Sequence, residues 1–364
     1  MGRKSKPPIT PPATISTYKV RLDITSDSTC PWCFITKRRI AKAIELFHAL
    51  SPEARRVQFD IHWHPYQLDP MAPKEPIPKS KLYTRKFGPE KAIFVRERVM
   101  AAGKLEGIEF LNADDCLYCS TLNSHRLIRY ARMKMGRTLF LNNINSANNM
   151  NTDKIDDNHD NDNSHGKNKN QNKNKKSTTN DYFFGGNDGN QQQDDDNNNN
   201  NSNNNNDDTH DSDATEMDCG IDKFGNRMED AIVEELFQSH FERGECADIP
   251  TLKKCARSVL YQLAAIENAR SPPPPSLPAA PGTPMPGANH SRLIDDEAIE
   301  QEMARIEQFL DSDEGLEEVV EEIRVAKHDM GIQGVPSIIV QNTYLLSGGQ
   351  DSHTFVEIFK RVVV

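Results

Sequence analysis

The sequence predicts an α/β protein in which a strand–helix–strand unit near the start and a strand–strand–helix unit near the end build one sheet. Two observations predict the first unit. Residues 18–24 and residues 57–63 each alternate apolar and polar side chains, as strands do. Residues 31–50 between them repeat apolar side chains at helical spacing. A strand, a helix and a second strand in this order favour a parallel βαβ connection.

The end of the chain supplies the remaining strands. Residues 335–340 are a β-branched apolar run, and residues 344–346 follow it after a turn signal, so the two segments predict a hairpin. Residues 354–363 predict a closing helix. The order βαβ…ββα is that of a thioredoxin-like fold, here with an α-helical domain inserted in its middle.

Two stretches of low complexity interrupt this pattern. One is rich in Asn and Asp with almost no apolar residues to offset ordering entropy, and the other contains four consecutive prolines. We expect both to be disordered. The predicted division is a disordered tail at 1–16, a thioredoxin-like domain at 17–70 and 331–364, an inserted helical domain at 71–141 and 220–330, a disordered Asn/Asp-rich insertion at 142–219, and a disordered Pro-rich insertion at 270–291.

Composition narrows the class of partner. The net charge of −10 argues against nucleic acid, which requires a basic surface. No apolar run reaches the length of a membrane span or of a secretory signal. We therefore expect a cytoplasmic protein that binds neither nucleic acid nor membrane. In that compartment a Cys-x-x-Cys motif favours redox catalysis or metal binding over a structural disulfide.

The first such motif is Cys30-Pro31-Trp32-Cys33, at the predicted junction of strand and helix. A helix N-terminus stabilises a thiolate through its unpaired N–H groups and its dipole. Cys30 is predicted to be the exposed nucleophile. Cys33, one turn further on, is predicted to be the more buried resolving thiol. The alternatives are half of a zinc site and a pair without a role.

The predicted wall of this site comes from both ends of the chain. Pro31 and Trp32 lie within the motif, and Val335-Pro336 precedes the third strand. In a fold of this type a proline at that position commonly has a cis peptide bond and faces the redox cysteines. The order along the chain therefore predicts that Val335 and Pro336 lie opposite Cys30.

A second motif, Cys116-Leu117-Tyr118-Cys119, precedes a predicted helix. Three interpretations stay open: a second redox pair that relays electrons to the first, a zinc site built from both pairs, and two loop cysteines without a shared role. His125 lies on the following helix, where a packed structural histidine is the default and contact with a substrate in the cleft is the alternative. The other cysteines are isolated in the sequence and are expected to be ordinary thiols, at positions Cys219, Cys246 and Cys255.

Several segments together resemble the DsbA-like oxidoreductases, specifically the FrnE-like branch, which is related to 2-hydroxychromene-2-carboxylate isomerases and kappa-class glutathione transferases. The similar segments are 26–39, 64–70, 120–127, 236–241, 331–337 and 347–350. Phe34, Thr36 and Ser120 stand where the family often has Tyr, Gly and Asn. The resemblance implies a thioredoxin-like domain with a helical insertion, thiol or disulfide substrates, and no tightly bound cofactor.

The leading functional hypothesis is a thiol–disulfide oxidoreductase that acts through Cys30 and Cys33. A second is a glutathione-dependent isomerase or transferase, with glutathione as co-substrate. Its known members typically carry Ser where Cys30 stands, so two cysteines favour dithiol chemistry. A third is a non-enzymatic module that binds zinc or a partner through both Cys-x-x-Cys pairs.

Overall fold

The sheet has four strands in the order β2-β1-β5-β6. Strand β1 pairs in parallel with β2 and antiparallel with β5, and β5 pairs antiparallel with β6. The computed structural model describes residues 18–81, 88–112, 116–135, 212–270 and 294–363. The strands of the sheet are β1 (Tyr18–Ser26), β2 (Val57–Pro65), β5 (Ser337–Val340) and β6 (Tyr344–Ser347).

A second, very short sheet pairs two segments that are far apart in sequence. Its strands are β3 (Ile77–Pro78) and β4 (Leu117–Tyr118), which run antiparallel. Two-residue strands have no periodic pattern that a sequence could show. The pairing brings the connector after β2 against the second Cys-x-x-Cys motif.

Eight α-helices fall within the described residues. They are α1 (Pro31–His48), α2 (Pro89–Leu105), α3 (Leu122–Tyr130), α4 (Ser212–Glu242), α5 (Ile249–Arg270), α6 (Asp296–Leu310), α7 (Leu316–Arg324) and α8 (Ser352–Val362). A single 3₁₀ turn (Ala54–Arg56) precedes β2, and π turns extend α3 over Ala131–Met135 and α7 over Val325–Asp329. None of these helices combines the length and the apolar content that crossing a bilayer requires.

Strand β1 lies at the centre of the core because both of its neighbours are strands. Val20, Leu22 and Ile24 are almost completely buried. Helix α1 follows β1 after a short loop and packs against α8 through the rings of Phe47 and Phe359, whose centroids are 5.9 Å apart. The start of α1 therefore lies next to the carboxyl end of the central strand.

Helix α1 also contacts the inserted helices. The ring of Phe34 stacks on that of Phe237 in α4, with centroids 5.1 Å apart. Because Phe34 directly follows Cys33, this stack holds the first turn of α1 against the helical insertion. Stacked aromatic pairs contribute about 0.5–1.5 kcal/mol beyond the area that they bury.

The predicted order βαβ…ββα is confirmed. Helix α4 begins at Ser212, inside the range 142–219 that the sequence predicts to be a disordered insertion. The Asn tract ends there, and acidic residues such as Asp213 and Glu216 favour the positive end of a helix. Arg270, inside the range 270–291, ends α5. The tail 1–16 and the other residues of both insertions lie outside the described residues, and the domain boundaries stay predictions.

Candidate active site

The first Cys-x-x-Cys motif opens helix α1. Cys30 is the N-cap residue with an extended backbone (φ −89°, ψ 111°), and Pro31 follows in the first turn, where its missing N–H costs nothing. The N–H of Cys33 donates to the Cys30 carbonyl at 3.0 Å. The sulfur of Cys30 therefore lies at the positive end of the helix dipole, where a thiolate is stabilised.

The two thiols have different environments. Cys33 is 1% exposed, and burial raises its pKa well above the usual range; a hydrogen bond to Cys30 and the charge of that thiolate raise it further. Cys33 thus keeps its proton at neutral pH. This difference supports the predicted order, in which Cys30 attacks and Cys33 resolves.

The prediction that Cys30 is exposed is wrong for this conformation. Only 3% of its surface is accessible. Its thiol lies against the backbone of the opposite wall and donates to the Val335 carbonyl at 3.6 Å. A backbone segment from the far end of the chain therefore shields Cys30 from solvent. The sequence predicted that this segment lies opposite Cys30 but did not predict the direct contact.

The predicted wall residues come together. The Val335–Pro336 peptide bond is cis, and the Pro336 carbonyl accepts from the Gly348 N–H at 2.8 Å. This hydrogen bond joins the segment before β5 to the loop after β6. Through the Val335 carbonyl, the segment before β5 lies against the Cys30 thiol.

The loop after β6 also supports Trp32. A Cβ atom on Gly349 would lie 2.9 Å from Cε3 of the half-buried Trp32 ring, so glycine is the residue that fits there. The guanidinium of Arg98 in α2 lies 5.7 Å from the centroid of the same ring. Arg39 in α1 donates to the Gly349 carbonyl at 3.1 Å. Trp32 is thus held between α2 and the loop.

Asp27 fixes the turn that precedes Cys30. One carboxylate oxygen accepts from the Thr29 N–H and hydroxyl, both at 3.1 Å, and the other accepts from the Leu68 N–H at 2.8 Å. The Asp27 carbonyl accepts from the Cys30 N–H at 2.9 Å. A buried carboxylate with three donors orders this turn and, through it, the position of Cys30.

Sequence reasoning missed a buried cation beside the cysteines. Lys79 is 5% exposed; its ammonium donates to Nε2 of His240 at 2.9 Å and lies 4.5 Å from the Phe241 ring centroid. Burial lowers the pKa of Lys79 to about 8, against the opposing charges of Cys116, Cys30 and Asp27. At pH 7 the group is mostly an ammonium within electrostatic reach of Cys30.

His240 can accept a hydrogen bond from the Lys79 ammonium because the His240 ring is neutral. Burial and then the charge of Lys79 lower its pKa well below the usual range. Its Nδ1–H donates to the Glu245 carbonyl at 3.0 Å, which leaves Nε2 as an acceptor. Lys79 lies in a Pro-rich connector that carries no motif, and His240 falls within the family-like segment 236–241 without being singled out there.

The second Cys-x-x-Cys motif flanks strand β4. In extended backbone, positions i and i+3 are about 10 Å apart, whereas the Cα atoms of a disulfide are within about 6.8 Å. The Cys116 thiol donates to the Asn112 carbonyl at 3.2 Å. The extended backbone is therefore expected to keep Cys116 and Cys119 apart, and their role as a redox pair stays a prediction.

Cys119 instead contacts Cys246, in the connection between α4 and α5. A hydrogen bond between the two thiols raises the pKa of Cys119, with burial adding to the rise, and lowers the pKa of Cys246. Sequence reasoning, which expected an ordinary thiol at Cys246, did not foresee this neighbour, because the chain folds this connection onto β4. Cys255 is a fully buried core thiol as expected, and the side chain of Cys219 lies outside the described part of the chain.

His125 is a packed residue of α3. It is 4% exposed, and its Nε2–H donates to the Tyr66 carbonyl at 2.9 Å. Burial lowers its pKa, so the ring is neutral at pH 7. These contacts support the structural interpretation of His125, which ties α3 to the segment after β2.

For the zinc alternative, the described residues contain no group of three or more His, Cys, Asp or Glu side chains arranged to hold a metal ion.

Comparison with known proteins identifies a family model and solved structures that include an oxidoreductase and an isomerase. The chain matches the DSBA-like thioredoxin domain over residues 21–158. A probable DsbA oxidoreductase from Streptomyces coelicolor is 16% identical, over 94% of this chain and 89% of that chain, with a TM-score of 0.50. A 2-hydroxychromene-2-carboxylate isomerase is 11% identical, over 94% of this chain and 96% of that chain, with a TM-score of 0.42. No curated protein sequence matches the chain. The Streptomyces coelicolor structure shows a shared fold.

Proposed function

We propose, from the premise that this chain carries a DsbA-like thioredoxin domain, that it is a thiol–disulfide oxidoreductase acting through Cys30 and Cys33. One observation carries the proposal. Cys30 caps the N-terminus of α1 directly beside Cys33, whose pKa is raised mainly by burial. This arrangement supplies an attacking thiolate and a protonated thiol in reserve.

The reaction proceeds by two exchanges. The Cys30 thiolate attacks one sulfur of a substrate disulfide, which breaks the substrate S–S bond and releases one substrate thiolate that takes a proton. Cys33 then loses its proton and attacks the Cys30 sulfur, which releases the second substrate thiol and leaves a Cys30–Cys33 disulfide. The reverse sequence oxidises a substrate dithiol. The reduction potential of the pair decides which direction operates.

The surroundings of Cys30 support the first exchange. The ammonium of Lys79 offsets the negative charge of the thiolate in a buried site, where charges interact strongly. The Val335 backbone lies beside the sulfur, just before the start of β5, where an extended peptide substrate can align. We therefore propose protein or small thiol and disulfide substrates. Glutathione, predicted as a co-substrate, would recycle the pair between turnovers.

A trapping experiment tests the proposal. The wild-type protein is assayed for reduction of insulin disulfides with dithiothreitol, and Cys33→Ala is incubated with the same substrate and analysed by mass spectrometry. We expect turnover by the wild type and, in the variant, a stable mixed disulfide at Cys30 because the resolving thiol is missing. Cys255→Ser, which removes a distant buried thiol, is the matched control and should turn over normally. Absence of turnover by the wild type, or a trapped adduct at another cysteine, contradicts the proposal.

A further inference from the structure

The contact between Cys119 and Cys246 joins two segments that are also linked through their backbones. The Leu117 N–H donates to the Gly244 carbonyl at 2.8 Å, so β4 is fixed against the connection between α4 and α5. The two cysteines are 2% and 3% exposed. Two thiols on segments that are fixed against each other can form a disulfide without backbone movement where their Cα atoms lie within about 6.8 Å.

The two thiols are not equivalent. The Cys119 thiol donates to the Ser120 carbonyl at 3.7 Å, and the interaction between the two thiols raises the pKa of Cys119 and lowers the pKa of Cys246. An asymmetric pair of this kind provides one sulfur that attacks and a second that follows.

We propose that Cys119 and Cys246 form a second redox-active dithiol, which a small disulfide such as glutathione disulfide converts into a disulfide between β4 and the α4–α5 connection. The Cys246 thiolate attacks glutathione disulfide, forms a mixed disulfide and releases one glutathione thiolate. Cys119 then gives up its proton, attacks the Cys246 sulfur and releases the second glutathione. Two protein thiols are oxidised, one glutathione disulfide is reduced to two glutathione thiols, and the two thiol protons end on them.

The position of this pair connects it to the first motif. Cys246 lines a small cavity together with Ser28, Thr29 and His240. Thr29 directly precedes Cys30, and His240 holds the Lys79 ammonium. We infer that the Cys119–Cys246 disulfide regulates the turn before Cys30. This regulatory part rests on the proposed function, whereas formation of the disulfide does not.

The experiment uses the full chain with Cys30→Ser and Cys33→Ser, so that its outcome is independent of the proposed function. The protein is equilibrated in glutathione buffers of increasing oxidised fraction, quenched with acid, alkylated and digested for mass spectrometry. We expect Cys119 and Cys246 to become protected from alkylation together and to appear as one linked peptide pair. Cys255→Ser in the same background should give the same result.

Two further variants make the outcome decisive. Cys246→Ser should leave Cys119 reduced, and Cys119→Ser should accumulate glutathione on Cys246 because the resolving thiol is missing. Circular dichroism establishes that each variant is folded, with Cys246→Ala as a replacement if the serine variant is not. The inference is overturned if both thiols remain open to alkylation in the most oxidising buffer, or if Cys119 links to Cys116 instead.

Discussion

The chain contains the same Cys-x-x-Cys spacing twice, on different backbones. Cys30 and Cys33 begin helix α1, whereas Cys116 and Cys119 flank strand β4. Three residues advance a helix by about 5 Å but an extended strand by about 10 Å. The helical pair therefore shares one site, while each cysteine of the strand pair has a different neighbour. The Cys-x-x-Cys spacing therefore places its two thiols close together where the backbone is helical and holds them apart where it is extended.

The difference extends to the surroundings. The helical motif lies against the segment before β5, the loop after β6 and the turn ordered by Asp27. The strand motif is linked by Cys119 to Cys246 and by the Cys116 carbonyl to the Lys79 N–H, at 2.9 Å. A dithiol site thus requires partners from distant parts of the chain as well as the correct spacing.

Replacing one cysteine in each motif is expected to produce the largest difference in activity between the two motifs. Cys30→Ser removes the attacking sulfur and should lower the rate of insulin reduction on the order of 1000-fold, because no covalent intermediate forms. Cys119→Ser should leave the rate within about threefold, because dithiothreitol keeps the second pair reduced. Equal losses in the two variants would show that the strand motif takes part in the same chemistry.

Much of the fold and the position of the first motif within the candidate site could be predicted from the sequence. The strand alternation, the position of Cys30 at a helix start and the apolar run after Pro336 are local signals, and the predicted positions agree with the structure. Lys79 and Cys246 could not be predicted. Their neighbours depend on the pairing of two-residue strands and on an irregular connection between helices, neither of which leaves a periodic pattern.

The buried charge of Lys79 interacts with Cys30 of the helical motif. Removing this charge should have the second largest effect, a lower reactivity of Cys30. Lys79→Met keeps the length of the side chain but removes the charge beside the Cys30 thiolate. We expect the rate of Cys30 alkylation by iodoacetamide at pH 7 to fall about tenfold, which corresponds to about 1.4 kcal/mol. Lys74→Met, an exposed lysine in the same connector, is the control and should not change the rate.

The same variant should be more stable than the wild type at neutral pH. The folded-state pKa of Lys79, about 8, lies below its ordinary value of 10.5 because of burial. Between these values the unfolded chain binds more protons, so wild-type stability rises with pH across that window. At pH 7 the buried ammonium costs up to about 3 kcal/mol, which Lys79→Met removes. Urea unfolding at pH 7, 9 and 10 should show the gain shrinking as pH rises; a gain independent of pH would contradict the assignment.

The smallest expected effect is a change in stability at the loop that packs against Trp32 in the helical motif. A methyl group on Gly349 would lie 2.9 Å from the Trp32 ring, whereas one on Gly334 would meet no heavy atom within 4 Å. Both Gly→Ala changes reduce the entropy of the unfolded chain similarly, by about 0.4–1 kcal/mol, so their difference isolates the contact. We expect Gly349→Ala to be about 1–2 kcal/mol less stable than Gly334→Ala in urea unfolding. Cys30 should also be alkylated faster in Gly349→Ala, because displacement of Trp32 opens the site. Equal stability of the two variants would mean that Trp32 moves freely and that the loop after β6 does not hold the wall in place.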